Sequence, residues 1–591
     1  MERSEVLENR KWKVEDIFPT VEAWEAFYSE TEKRVDFSKY EGKLGEKAAL
    51  KECYEAIYSV YADVEKLALY AFLRYCEDTR NSEFVALSSK SDALQVKFMS
   101  AMAFVTPELT ALDESVLKAY ISDPELKDYD YELKGILKSK AHILSKETES
   151  VLSLGGQVFG GFHDIFSMID NADLPFPTLD IHGKKTVITH GTYGLLLHDP
   201  DRNVRKKVFK SYYKAYEGLL NTITATYIGN VNKDVFLSRV RKYKSCLDQA
   251  LENEDVQPEV YENLLAAVHK GFPQMHRYVS IKKKTLKLGK MHMYDMYMPL
   301  VENAELKLDF EDAFKLVKEG LAPLGEEYGA LLQKAHDEGW MDVEETMGKR
   351  SGAFSAGVYA SPHPFVLLNY KQTTSDVFTI AHELGHSMHT YFSNKNQPQA
   401  KADYRIFVAE VASTVNEVLL LKYLLKTGED KKLKRYLYSY FADMVKGTLF
   451  RQTQFAEFEY AAHKAAEEGK PLTKDFLNAT YLELNKKYYG RSVVSDDEIA
   501  YEWSRIPHFY TSFYVYKYAT GLTAAISIAE RIYNEGEAAV KDYFKFLSSG
   551  GSDSPVELLK LAGIDLTKKA PYMAAMDAFK HALDEFENLA E

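Results

Sequence analysis

His382-Glu383-Leu384-Gly385-His386 is the stretch from which the rest of this chain can be read. Residues four apart share one face of a helix, so His382 and His386 can present two imidazoles to a single divalent ion. Glu383, one residue beyond the first histidine, sits where it can take a proton from a water that the ion activates. The preceding residues, Ser375-Asp376-Val377-Phe378-Thr379-Ile380-Ala381, read as the entry to that helix. Thr374 or Ser375 is expected as the N-cap, and Asp376 complements the dipole in the first turn. Val377, Ile380, Ala381 and Leu384 supply an apolar face. The plainer alternative is a buried helix whose histidines satisfy core hydrogen bonds.

A hydrolytic zinc site needs a third protein ligand and one open position. His389 lies three residues past His386 on a similar face, but three ligands on adjoining turns of one helix crowd a tetrahedral ion. Position 392, where another zinc-peptidase pattern has its third histidine, is Phe392. The next helix offers a better donor. In Asp403–Leu420 the surroundings are strongly apolar, yet Glu410, Thr414 and Glu417 fall on one stripe. A carboxylate there is costly unless it meets a cation, so Glu410 is expected as third ligand, with His389 as its rival. Glu417 suits a supporting position, accepting the free ring N–H of a ligating histidine, or else a structural hydrogen bond to a neighbouring helix.

The rest of the chain sets limits. Its 591 residues are enough for a large core and several subdomains, and 46% hydrophobic with 27% charged residues is ordinary globular composition. A net charge of −14 argues against nucleic acid or an anionic membrane as partner. Cys53, Cys76 and Cys246 show no paired spacing and read as reduced core thiols. Neither an apolar leader at the start nor a run of about eighteen apolar residues is visible, so a cytoplasmic location is expected. The 41 tyrosines and 32 phenylalanines suit helix interfaces, and equally a peptide-binding channel.

Most of the chain carries helical period, so the expected fold is mainly α. Lys47–Arg80 and Asn81–Ala103 place apolar residues three and four apart, and a further helix is predicted over Tyr131–Thr148. From Leu152 the texture changes, with Gly155, Gly156, Gly160 and Gly161 interrupting the pattern. Thr178–Thr189 alternates around a His-Gly-Lys turn and predicts a hairpin, after which Asp199-Pro200-Asp201 opens the next helix. Lys290–Pro299 looks extended. Gly352–Tyr359 leads to the apolar run Pro364–Tyr370, predicting a small sheet beside the histidine helix, with an edge that could hold an extended peptide backbone. Three sequential regions are expected: an N-terminal helical region over 1–112, a helical and hairpin domain over 113–185, and a catalytic zinc-peptidase domain over 186–591.

His382 to His389, followed by Phe407-Val408-Ala409-Glu410-Val411-Ala412-Ser413, resembles the thimet-oligopeptidase family, in particular its bacterial oligoendopeptidase F branch. The likeness runs through nearly the whole chain. It implies a mainly α, ellipsoidal, multi-helix molecule with a deep substrate channel, and one zinc ion held by His382, His386 and the glutamate aligned with Glu410. It also implies that Ile506–Tyr518 supplies a histidine, matched by His508, and one or two tyrosines to hydrogen-bond the substrate carbonyl and its oxyanion. Spacing here is shorter than in the mammalian branch; Tyr514 is favoured, then Tyr516, with Tyr510 also in the stretch. The expected activity is zinc-dependent hydrolysis of internal bonds in short unfolded peptides, by a chain expected to be monomeric, with a homo-oligomer as the alternative. The rivals are a zinc exopeptidase and a peptide-binding protein that does not turn over.

Overall fold

The structure is a computed structural model that describes residues 1–301, 304 and 306–590. The chain gathers into two compact units, each built from three separated stretches. One comprises Met1–Ile143, Glu305–Thr427 and Ala525–Asp565, the other Leu144–Ala304, Gly428–Ala524 and Leu566–Glu591. Facing apolar surfaces, not order along the chain, decide what shares a core, so neither unit coincides with one sequential region.

In the first unit the helices Lys47–Glu77 and Ser82–Met102 pack along one another. Leu50, Cys53, Ile57, Val60, Val64 and Leu67 recur at three- and four-residue steps and are buried, which is the periodicity legible in the sequence. Trp24 is fully buried and its indole N–H donates to Leu67 O at 3.0 Å, so the one polar atom of that ring is satisfied. Phe365 and Leu367 join this core. They belong to the middle strand of a three-stranded sheet, Phe365–Leu367, which runs parallel to Met341–Asp342 and antiparallel to Phe354–Ala356. Phe354–Ala356 is therefore an edge strand. Its Ser355 Oγ lies 2.8 Å from Ser387 Oγ, which ties the sheet to the histidine helix.

That helix spans Thr374–Asn396. Its N-cap is Thr373, one residue before the expected positions. Thr373 Oγ1 accepts from the Asp376 N–H at 3.2 Å, while the Asp376 carboxylate accepts from the N–H groups of Thr373 and Lys371. This capping box satisfies several helix-end donors at once and outcompetes a cap one residue later. The helix predicted over Tyr131–Thr148 is instead Asp130–Ser139, and a new one starts at Lys146. Ile143 takes up extended backbone and Ser145 Oγ accepts from the Thr148 N–H, so the chain has capped a second helix inside the periodic run.

In the second unit, Thr178–Ile181 and Lys184–Val187 form the expected hairpin, with His182 and Gly183 both at positive φ in its tight turn. Asp201 then caps the 39-residue helix Arg202–Val240, which buries Tyr212, Tyr213, Tyr216 and Tyr227 in the helix interfaces. Two expectations are corrected. Lys290–Pro299 is not an extended segment: Met291–His292 pairs with Val493–Val494 and the chain turns at once into a single helical turn. Of the glycines at 155–161, Gly155 does separate two helices, but Gly156, Gly160 and Gly161 do not break helix, since Gly156–Met168 is helical and packs on Arg202–Val240. Gly229 explains the second result. A Cβ there would stand 2.2 Å from Phe162 Cε1, so the bare glycine is the notch that seats Phe162 and anchors the glycine-bearing helix. Tertiary contact overrides the unfavourable glycine propensity, about 1 kcal/mol per residue. Among the described residues no helix is long and apolar enough to cross a membrane.

Gly229→Val is expected to evict Phe162 and loosen Gly156–Met168. Limited proteolysis should then nick residues 145–175 first, at a rate several-fold above wild type, and an unchanged cleavage pattern would contradict this packing.

Candidate metal centre

Two helices of the first unit make the centre: the histidine helix, and Ile406–Thr427, which carries Glu410 and Glu417. Their close approach is written into one residue. A Cβ at Gly385 would lie 2.5 Å from Ser413 Cα and 2.7 Å from Ala412 O, so only glycine lets the two backbones touch. A buried clamp holds the contact: Asn416 Nδ2 donates to Ala381 O at 2.9 Å, and Tyr328 OH donates to Asn416 Oδ1 at 2.9 Å.

Three ligand atoms converge there. His382 Nε2 and His386 Nε2 are 3.2 Å apart, and Glu410 Oε2 lies 3.3 and 3.4 Å from them. Donors at roughly 2.0–2.1 Å from an ion at the tetrahedral angle stand about 3.3 Å apart, so the triangle has the dimensions of a zinc site. Two nitrogens and one oxygen also suit zinc chemically, and the three residues are the group among the described residues able to hold an ion in this way. Ser413 Oγ donates to Glu410 Oε2 at 3.2 Å and orients that carboxylate. Glu417 Oε1 accepts from His382 Nδ1 at 2.5 Å, which leaves Nε2 aimed at the triangle.

Charge follows geometry. Burial disfavours the ionised Glu410, yet hydrogen bonds and charge from the two imidazoles hold its carboxyl well below the usual range. Burial likewise opposes a charge on His382, but Glu410 and Glu417 together push it up to about 10. Glu383 is 6% exposed, and burial raises its carboxyl against the pull of both histidines. A carboxyl raised by desolvation is a better proton acceptor than a solvated one. His389 stands apart from all this. Its ring is 1% exposed and stacks on Tyr404 with centroids 3.7 Å apart. Neither ring nitrogen has a hydrogen-bond partner among the described residues, and burial lowers it to about 3.

The remaining candidates lie in the second unit. His508 sits in the single helical turn Pro507–Tyr510 and is exposed, while desolvation lowers its ring below the ordinary histidine value. Tyr514 lies beside it, ring centroids 6.1 Å apart, and is partly exposed. Tyr516 is buried and meets Tyr261 edge-on at 5.3 Å, while Tyr510 stacks on Phe166 at 4.4 Å. The residue that sequence reading missed is Tyr518, whose hydroxyl is 3.3 Å from His508 Nε2 and whose ring meets Tyr514 at 5.4 Å. Tyr518 lies in the first turn of the helix that begins at Tyr516, whereas Tyr514 precedes that helix, so helical spacing alone did not mark the pair.

The Peptidase family M3 model matches residues 195–578, and the Oligopeptidase F model matches 108–176. Oligopeptidase PepF of Bacillus subtilis is 42% identical over 596 residues, covering all of this chain and 88% of that protein. An oligoendopeptidase F homolog of Lactococcus lactis is 38% identical across all of this chain and 98% of its own. Among solved structures, oligoendopeptidase-F from Enterococcus faecium is similar with a TM-score of 0.74 and 35% identity, covering 96% of this chain and 99% of that one.

Gly385→Ala is expected to force the two helices apart and weaken zinc binding at least tenfold, read by competition with a chromophoric chelator. Glu417→Gln, which keeps the shape but loses the charge behind His382, should cost roughly 10–100-fold in the same titration. Wild-type affinity in both variants would contradict the geometry described.

Proposed function

This chain belongs to peptidase family M3 and is a metalloendopeptidase of its oligoendopeptidase F group, and from that premise we propose that zinc is its ion, held by His382, His386 and Glu410. The observation that supports this most is the triangle of two imidazole nitrogens and one carboxylate oxygen, at separations of 3.2 to 3.4 Å. Zinc bound there would supply Lewis acidity toward the scissile carbonyl and lower the pKa of the attacking water.

The chain's own groups do the rest. Glu383 takes the proton of the attacking water and later returns it to the leaving amine, a role suited to a buried carboxylate raised by desolvation. His508 Nε2 and the hydroxyls of Tyr514 and Tyr518 donate to the oxyanion; this assignment rests on family likeness together with the clustering of the three side chains. Tyr516 is set aside because its ring is buried against Tyr261. The edge strand Phe354–Ala356, tied to the histidine helix through Ser387, aligns the substrate backbone by adding a strand. Such pairing reads backbone more than side chains, in keeping with relatives named as oligopeptidases. We further propose short unfolded peptides as substrates, a cytoplasmic location and a monomeric state.

Glu383→Gln should retain zinc while kcat falls by about 10²–10⁴ on an internally quenched, end-blocked peptide. Chelation should abolish cleavage and added zinc restore it. His508→Ala and Tyr514→Phe should each lower kcat by about 10²–10³ with little change in KM, as expected for donors that act in the transition state. Release of terminal residues from free peptides, with blocked peptides untouched, would instead establish an exopeptidase.

A further inference from the structure

Between His508 and the helix that begins at Tyr516 the chain makes a short, unusual connection. Phe513 has φ of 57°, a left-handed conformation that a bulky L-residue avoids. Such a backbone persists only where its surroundings over-determine it. Packing does not do so from every side, because a cavity of about 270 Å³ lies against the connection, lined in part by Leu237, Cys246, Ser512, Phe513 and Tyr514. Polar contacts from two helices do. On Arg202–Val240, Asn230 and Asp234 are four residues apart on one face; on Arg451–Glu467, so are Glu459 and His463.

These four residues grip the connection at successive points. Asn230 Nδ2 donates to Phe509 O at 3.2 Å, and Ser512 Oγ donates to Asp234 Oδ2 at 2.5 Å. The Phe513 N–H donates to Glu459 Oε1 at 2.7 Å. His463 Nε2 lies 3.1 Å from Asp234 Oδ2, its Nδ1 lies 2.9 Å from Glu459 O, and its ring packs on Phe513 at 4.7 Å. Glu459 is 1% exposed, and its second oxygen has no hydrogen-bond partner among the described residues. A core carboxyl with one oxygen idle is expensive for a helix that alanine or leucine would serve. Its one side-chain hydrogen bond among the described residues goes to the strained amide next to Tyr514. Burial also raises it to about 8, the form that costs least in such a site.

We propose that Glu459, assisted by Asp234 through Ser512, is a positioning residue for catalysis: it holds Phe513 in its left-handed conformation and so aims Tyr514 beside His508 and Tyr518. The inference rests on the role given to Tyr514 above. It makes a specific demand on chemistry, since what Phe513 needs is an acceptor and not a charge. Glutamine at 459 supplies one, and alanine does not.

The test compares Glu459→Ala, Glu459→Gln, Ser512→Ala and Tyr514→Phe as full-length, zinc-loaded protein, reading kcat and KM on a blocked peptide and amide hydrogen exchange of residues 509–516. Glu459→Ala is expected to raise exchange in that segment and lower kcat at least tenfold, with KM within twofold and zinc content unchanged. Glu459→Gln should restore both readouts to near wild type. Should Glu459→Ala fail to fold, Ser512→Ala, which removes the hydroxyl's contacts to Asp234 and Asn230 and leaves the bond to Glu459 in place, carries the same expectation at a few-fold in kcat. Unchanged exchange in the alanine variants overturns the proposal. So does raised exchange with full kcat when Tyr514→Phe is itself impaired. Full activity of Tyr514→Phe refutes instead the role of that tyrosine, and the exchange data alone then decide whether Glu459 holds the segment.

Discussion

The contact of two helices at Gly385 is the constraint from which the metal centre follows. With a side chain absent there, the histidine helix rides directly on the backbone at Ala412 and Ser413. Glu410, one turn earlier on the partner helix, is thereby delivered to the two imidazoles, and Glu417, two turns later, reaches the back of His382. Any larger residue at 385 would move the carboxylate by more than the tolerance of a coordination bond, which is about 0.2 Å. The Asn416 and Tyr328 clamp fixes the same approach from inside the core, so ligand geometry and core packing are one property of this helix pair.

Packing this tight also concentrates charge. Glu383, Glu410 and Glu417 surround two histidines in a largely buried space, and their environments push them apart. Glu410 is held firmly ionised by the imidazoles, whereas Glu383, raised by burial, is the carboxyl readier to accept a proton. Division of labour between neighbouring carboxyls by environment alone is a recurring way to obtain one ligand and one base from the same residue type.

The second unit is built on different physics. The His508, Tyr514 and Tyr518 group depends on a strained connection, not on a regular element, and such a connection must be held by specific hydrogen bonds. Two pairs of residues four apart on facing helices supply them, and a cavity relieves the packing on one side. A rigid helical scaffold thus carries an irregular segment where function is proposed, the usual arrangement for loops bearing reactive groups.

Local chemistry made much of this legible. Four-residue spacing pointed to His382 and His386, and the cost of a carboxylate on an apolar stripe to Glu410 and Glu417, which the structure brings together; alternation around a glycine turn marked the hairpin within 178–189. Periodicity also marked the long helices, but not their ends: Thr373 and Ser145 cap helices because of hydrogen bonds that propensity does not register. Nor could periodicity foresee that Gly156–Met168 would stay helical, which depends on a notch at Gly229 sixty and more residues away. His389 and Tyr516 stood as second choices to Glu410 and Tyr514, and their burial against Tyr404 and Tyr261 separates them from the groups that converge. The sequence by itself therefore determined which candidate ligand and base groups share one helix face, because their identities and spacing are covalent facts. Tertiary structure alone decided which tyrosine stands beside His508 and which carboxyl supports its segment, because those are matters of which side chains meet across elements distant in the chain.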